Sequence, residues 1–217
     1  MSKAYVAVIA DAVRSRSLLP GRRARLQAAL RAALGDLNRR YHKDLAARFG
    51  ITQGDELQCL LVATTRLWEI GHVVRHRFPD VEWVVGVGRG AVTTDLAGGK
   101  INAPEVDGPC FHEARAAVEA AKRERLLFAF RGFGAAEPRL NGLSSYYSAL
   151  YWSWTGRQRG AANAWRAVTG PNDAGAAPAP GRRVVPSAVS HLRRRMAWPL
   201  VERGDKMLRA LLEADTA

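Results

Sequence analysis

Two aspartates stand where carboxylates can do chemistry. Asp11 ends the run Tyr5-Val6-Ala7-Val8-Ile9-Ala10, and Asp55 sits at the turn between two apolar stretches, residues 46–53 and 56–62. If the first run is a strand lying beside that hairpin, both carboxylates meet at one sheet edge. Close carboxylates repel, and a divalent cation with phosphate oxygens relieves the repulsion. This is the minimum protein contribution to a metal-assisted phosphoryl-transfer site, with Mg²⁺ or Mn²⁺ as the expected ion. Glu56, next to Asp55, is either a third ligand or the partner of an arginine. A plainer role is open to the same residues: Asp11 capping a loop, Gly54-Asp55 making a tight turn.

Basic residues frame these acids. Arg14 and Arg16 follow Asp11, where triphosphate oxygens would lie, and Arg115 and Lys122 stand seven apart on one face of a helical stretch. They suit phosphate contact or a solvated basic face. His112 is a general base or a solvent-facing residue at a helix start. Cys110 reads as apolar packing, since no His–acid pair can be set against it. Gly86, Gly88 and Gly90 are spaced like a phosphate loop, but no helix follows directly, so they make no dinucleotide fingerprint. The chain carries 33 Lys plus Arg against 20 Asp plus Glu, a formal charge of +13. That excess favours polyanionic partners, nucleotides or nucleic acid.

The elements that must position these groups are legible from periodicity. Residues 3–11 read as a strand buried on both faces, and 21–41 as a helix with Leu26, Leu30, Ala33 and Leu37 inward. The hairpin follows. A helix over 65–78 is stopped by Pro79, a strand runs from Trp83 through Gly88 into Ala91-Val92-Thr93, a helix covers 110–124, and a last strand covers 126–130. The order βαββαβαβ predicts an α+β fold, a palm or ferredoxin-like sheet with packed helices, over residues 1–133. Residues 140–217 form a second, all-helical unit, aromatic at first, with a flexible Gly/Pro/Ala insert at 169–181. No apolar run spans a membrane, no signal peptide opens the chain, and two cysteines make no disulfide framework. The expected protein is soluble and cytoplasmic.

Residues 181–209 hold eight basic residues and two acids. Within them, Val185 to Arg193 resembles the recognition helix of a helix-turn-helix. Ser187, Ser190 and His191 would reach base edges of duplex DNA, and Arg193, Arg194 and Arg195 its phosphates. No first helix stands just before the turn. Either Gly160–Val168 supplies it across a long loop, or the motif has decayed into a basic helix packed on the sheet domain or on a second subunit.

Four segments carry a family resemblance: Val8-Ile9-Ala10-Asp11-Ala12-Val13-Arg14-Ser15, Ile51 to Gln58 with Gly54-Asp55-Glu56 at its centre, Val85-Gly86-Val87-Gly88-Arg89-Gly90, and Asp107-Gly108-Pro109 leading to Arg115. Together they resemble the SatD-like family of small bacterial proteins. More distantly they are similar to class III nucleotide cyclases and diguanylate cyclase domains. That resemblance implies metal ligation by Asp11 and Asp55, a bound nucleoside triphosphate, a homodimer, and transition-state stabilisation by Arg115. In class III cyclases an Asn precedes that arginine by one turn, and none does here. The resemblance therefore implies nucleotide binding coupled to a DNA-binding tail. The alternative is an active nucleotidyl cyclase.

Overall fold

The computed structural model describes residues 3–52, 55–97, 101–167 and 186–214. Five strands form one mixed sheet in the order β2-β3-β1-β4-β5: β1 Tyr5–Val13, β2 Leu45–Thr52, β3 Glu56–Leu61, β4 Glu82–Gly90 and β5 Phe128–Arg131. The first four run antiparallel to their neighbours, and β5 lies parallel to β4. Helices α1 (Pro20–Arg40), α2 (Leu67–Arg77) and α3 (Pro109–Glu124) alternate with the strands in the βαββαβαβ order. The flexible insert expected at 169–181 lies outside the described residues, as do Gln53 and Gly54.

Because side chains alternate along a strand, β1 feeds two cores. Val6, Val8, Ala10 and Ala12 join the cluster with α1 and α2, whereas Ala7 and Ile9 join the cluster under α3. Helix α1 starts with Pro20, whose missing N–H costs nothing at a helix start, and buries Leu26, Leu30, Ala33 and Leu37. Helix α3 buries only small or narrow residues, Cys110, Ala114, Ala117, Val118 and Ala121. The glycines of β4 lie beneath it. A Cβ at Gly88 would sit 2.1 Å from the Cys110 carbonyl oxygen, and one at Gly86 would sit 2.4 Å from that of Ala114. The glycine series is thus a seat that lets the helix backbone rest directly on the sheet.

Strand β4 ends at Gly90, short of the expected Thr93. The backbone of 91–93 is used otherwise: Thr93 N–H donates to the Asp107 carbonyl, and Ala91 C=O accepts from Cys110 N–H. The segment braces the start of α3 instead of extending the sheet.

Four further helices are described: α4 Glu137–Ser153, α5 Gly156–Ala167, α6 Pro186–Arg195 and α7 Trp198–Ala214. Helix α4 closes the open edge of β5 with side chains. Asn141 accepts from Phe130 N–H and donates to Phe130 C=O, both at 2.9 Å, Ser144 donates to Phe128 C=O at 2.6 Å, and Ser148 accepts from Leu127 N–H at 2.9 Å. An edge strand's spare backbone groups are thereby satisfied without another strand. Tyr147, Tyr151, Trp154, Ala162, Trp198 and Leu208 belong to the same apolar cluster as α1 and α2. Arg166, 3% exposed, forms a two-point ion pair with Asp205 of α7 and lies over the rings of Tyr147 and Trp198, each 4.7 Å away. None of the helices among the described residues is long and apolar enough to cross a membrane.

Candidate functional site

The carboxylates gather where β1 and β3 meet under α3. Asp11 and Glu56 are direct Cα partners across that ladder, and the carbonyl of Asp55 accepts from Ala12 N–H at 3.4 Å. Like charges placed opposite on one sheet face are destabilising unless something neutralises them. Here α3 does so, because its glycine seat brings its polar edge down to the acids. Lys122 Nζ lies 2.7 Å from Asp11 Oδ2. Arg115 grips Glu56 with both terminal nitrogens, Nη2 to Oε1 at 2.7 Å. The seven-residue spacing of Arg115 and Lys122, two helical turns, matches one cation to each acid. Gln58 donates to Glu56 Oε1 at 2.7 Å, and the Thr52 hydroxyl donates to the same oxygen. Asp55 accepts the hydroxyl of buried Ser15.

These contacts set different electrostatics for neighbouring acids. Burial raises the Asp11 pKa; Lys122 opposes that rise, and the charges of Glu56 and Asp55 add to it. Burial acts on Glu56 in the same sense, but hydrogen bonds from Arg115, Thr52 and Gln58 outweigh it and hold Glu56 below its usual value. Arg115 is raised by its bonds to Glu56.

The structure thus brings together Asp11, Glu56, Arg115 and Lys122, with Asp55 adjoining. Arg14 and Arg16 lie exposed on the β1–α1 loop, with no carboxylate partner among the described residues. Arg14 has φ 57°, a left-handed conformation that turns the chain out of β1. His112 is exposed and sits 3.3 Å from Asp107. Cys110 is buried, and burial pushes its thiol up to about 11, which suits packing and not nucleophilic attack. Sequence reasoning passed over Ser15, Thr52 and Gln58. For Gln58 a signal existed, because a residue two after Glu56 on a strand shares its face.

As the side chains stand, the donor set does not fit a resident divalent cation. Both oxygens of Glu56 are taken, Asp11 holds an ammonium, and no group of three His, Cys, Asp or Glu that could hold a metal occurs among the described residues. Lys122 supplies the positive charge that faces Asp11.

In the tail, α6 presents Ser187, His191 and Arg195 at four-residue intervals, so they share one face. Ser190 and Arg194 are exposed. Arg193 is engaged, paired with Glu202 at 2.9 Å and lying 5.4 Å from the Trp165 ring centroid. Arg182 and Arg183 lie outside the described residues.

Fold and site together define an α+β protein with a mixed five-stranded sheet and a paired carboxylate–cation cluster under one helix. The chain belongs to the SatD family, whose family model matches residues 5–125. No curated protein matches it.

Proposed function

We propose that the protein binds a nucleotide at the α3 face of a palm-type, nucleotide-cyclase-like sheet domain, and that it acts as a regulatory protein whose basic tail contacts duplex DNA. The observation that carries the reading is the pairing of Asp11 with Lys122 and Glu56 with Arg115. Lys122 and Arg115 are each about two-fifths exposed, so a phosphate can reach them from solvent. The carboxylates hold both cations in one place, and a polyphosphate exchanges with the carboxylates for them. Arg14 and Arg16, exposed on the adjoining loop, would take further phosphate oxygens, and Asp55 fixes the hydroxyl of Ser15, which stands between them in the chain. The strand order β2-β3-β1-β4 with its split crossover supports the palm reading. Turnover by a nucleotidyl cyclase is the weaker alternative, since residues 111 and 112, one turn before Arg115, are Phe and His.

Titration calorimetry with each nucleoside triphosphate, run with EDTA and again with Mg²⁺ or Mn²⁺, tests this reading, and chromatography of the mixtures tests for product. Saturable binding that Arg115→Ala and Lys122→Ala each weaken about tenfold supports it, the size expected for a charge-assisted hydrogen bond. Equal affinity in all three proteins would leave the cluster purely structural.

A further inference from the structure

The face of α6 that carries Ser187, His191 and Arg195 looks into a cleft. The opposite wall is the start of α5, with Thr155, Arg157 and Gln158, and Leu192 closes the floor. The cleft measures about 460 Å³, room for a phosphate group and part of what bears it. Two guanidinium groups, an imidazole, two hydroxyls and an amide line it, and among the described residues no carboxylate does. In a chain with 20 acids this matters, because several other arginines are spent on Asp or Glu: Arg39, Arg40, Arg66, Arg77, Arg115, Arg123, Arg131, Arg166 and Arg193 all are. Arg157 and Arg195 have no such partner among the described residues.

The walls are also fixed. Thr155 caps α5, its hydroxyl accepting from Gln158 N–H at 3.3 Å, and Gln158 Oε1 accepts from Thr155 N–H at 2.9 Å. Helix α6 is held from behind by Leu192, packed on the core, and by the Arg193–Glu202–Trp198 bonds. The donors of the cleft are therefore presented by two anchored helices.

We propose that this cleft is an oxyanion site for a phosphate group, with Arg157 and Arg195 as opposed clamps and Ser187, His191 and Gln158 as hydrogen-bonding groups. Two guanidinium groups lining one cleft favour a tetrahedral anion with several oxygens over a single carboxylate. The phosphate belongs either to a duplex backbone or to a small phosphorylated molecule. The site uses none of the residues of the carboxylate cluster, so it stands or falls independently of the nucleotide reading.

The test uses the full chain, with pyrophosphate by calorimetry and a short random duplex by fluorescence anisotropy over a salt series. Arg157→Ala and Arg195→Ala should each weaken the bound partner about tenfold, while Arg194→Ala, on the same helix but outside the cleft, changes it less than about twofold. Each pyrophosphate titration is also run in an Arg115→Ala background, which weakens the polyphosphate site proposed at α3 and leaves the contribution of the cleft to be read alone. Loss confined to pyrophosphate identifies a small phosphorylated ligand. Loss on the duplex, with the log–log salt slope flattened by about one per arginine, identifies backbone phosphate. Equal effects of Arg157→Ala, Arg195→Ala and Arg194→Ala on both partners, or no effect of any, would overturn the proposal.

Discussion

Asp11 and Glu56 face each other directly across the β1–β3 ladder, yet they are held in opposite electrostatic states. Asp11 is pushed up by burial and Glu56 is held down by the hydrogen bonds of Arg115, Thr52 and Gln58. Asp11 has a single ammonium contact, whereas Glu56 is gripped by both terminal nitrogens of Arg115; if a phosphate binds here as proposed, Lys122 is the cation it should draw away first.

Removing the tethered ammonium should open Asp11 to metal. Lys122→Ala is expected to bind Mn²⁺ at least about tenfold more tightly than the parent chain, measured by calorimetry. Indistinguishable Mn²⁺ affinity in the two proteins would mean that Lys122 does not stand in for a cation.

The glycine seat makes a steric prediction. Gly88→Ala places a methyl 2.1 Å from the Cys110 carbonyl oxygen and 2.2 Å from Ala114 N, so α3 must lift. The expected cost is about 3 kcal/mol or more of stability in urea unfolding. Nucleotide affinity should fall with it, because both cations ride on α3. A variant as stable as the parent would show that the helix is not seated on β4 as described.

Stability should fall with acid in two stages. His72 is fully buried, and burial first, then the guanidinium groups of Arg166 and Arg75, hold its imidazole well below the usual 6.5. The unfolded chain takes up that proton below pH 6.5 and the folded one does not, so this stability is present above 6.5 and is lost as pH falls. His76, also lowered from its ordinary value, adds in the same sense. Glu56, lowered from 4.5, adds a second loss at lower pH, whereas Asp11, raised from 3.8, works against it, since the folded chain protonates first. Urea midpoints at about pH 7.5 and 5.5 should differ by up to about 1.4 kcal/mol per pH unit for His72 alone, and His72→Leu should flatten the difference. An unchanged slope in that variant would remove His72 as its cause.

The arginines of α6 should not be equivalent toward duplex DNA. Arg193 is occupied by Glu202 and the Trp165 face, so Arg193→Ala is expected to destabilise the tail without changing the salt slope. Arg195→Ala should flatten it by about one unit, whereas Arg194→Ala, at an exposed position outside the cleft between α5 and α6, should leave it nearly unchanged. Ser190→Ala should alter sequence preference alone if that hydroxyl meets a base edge. Weak, sequence-blind binding with identical slopes in all variants would reduce the tail to a generic basic surface.

The strands and helices of residues 5–131 were legible because each has a clean period and a clear stop, as with Pro79 after α2. Asp55 was legible from its place at the hairpin turn; Asp11 was expected to end β1, but the strand runs two residues further, to Val13, because Ala12 and Val13 continue the ladder with β4. Ser15 and Thr52 were not, because a hydroxyl's role is set by which carboxylate the fold brings to it. The end of β4 was misjudged because Ala91-Val92-Thr93 has strand composition, and only the tertiary bonds to Asp107 and Cys110 turn it aside. The side-chain closure of the β5 edge by Asn141, Ser144 and Ser148 had no local signature at all.

The Thr64 hydroxyl donates to the carbonyl of Leu212, 148 residues later in the chain, and the Arg166–Asp205 pair lies beside the same core. Trp68, which stacks on Phe128 and meets Tyr147 at 5.1 Å, therefore finds its full surroundings only when the last helices are in place. On the ribosome, at roughly 5–20 residues per second, α7 follows β5 by roughly 4–16 s. The β5 edge waits only for α4, but through the rest of that interval the aromatic face around Trp68 lacks its last covering helix, which makes the unfinished chain a natural client for chaperones.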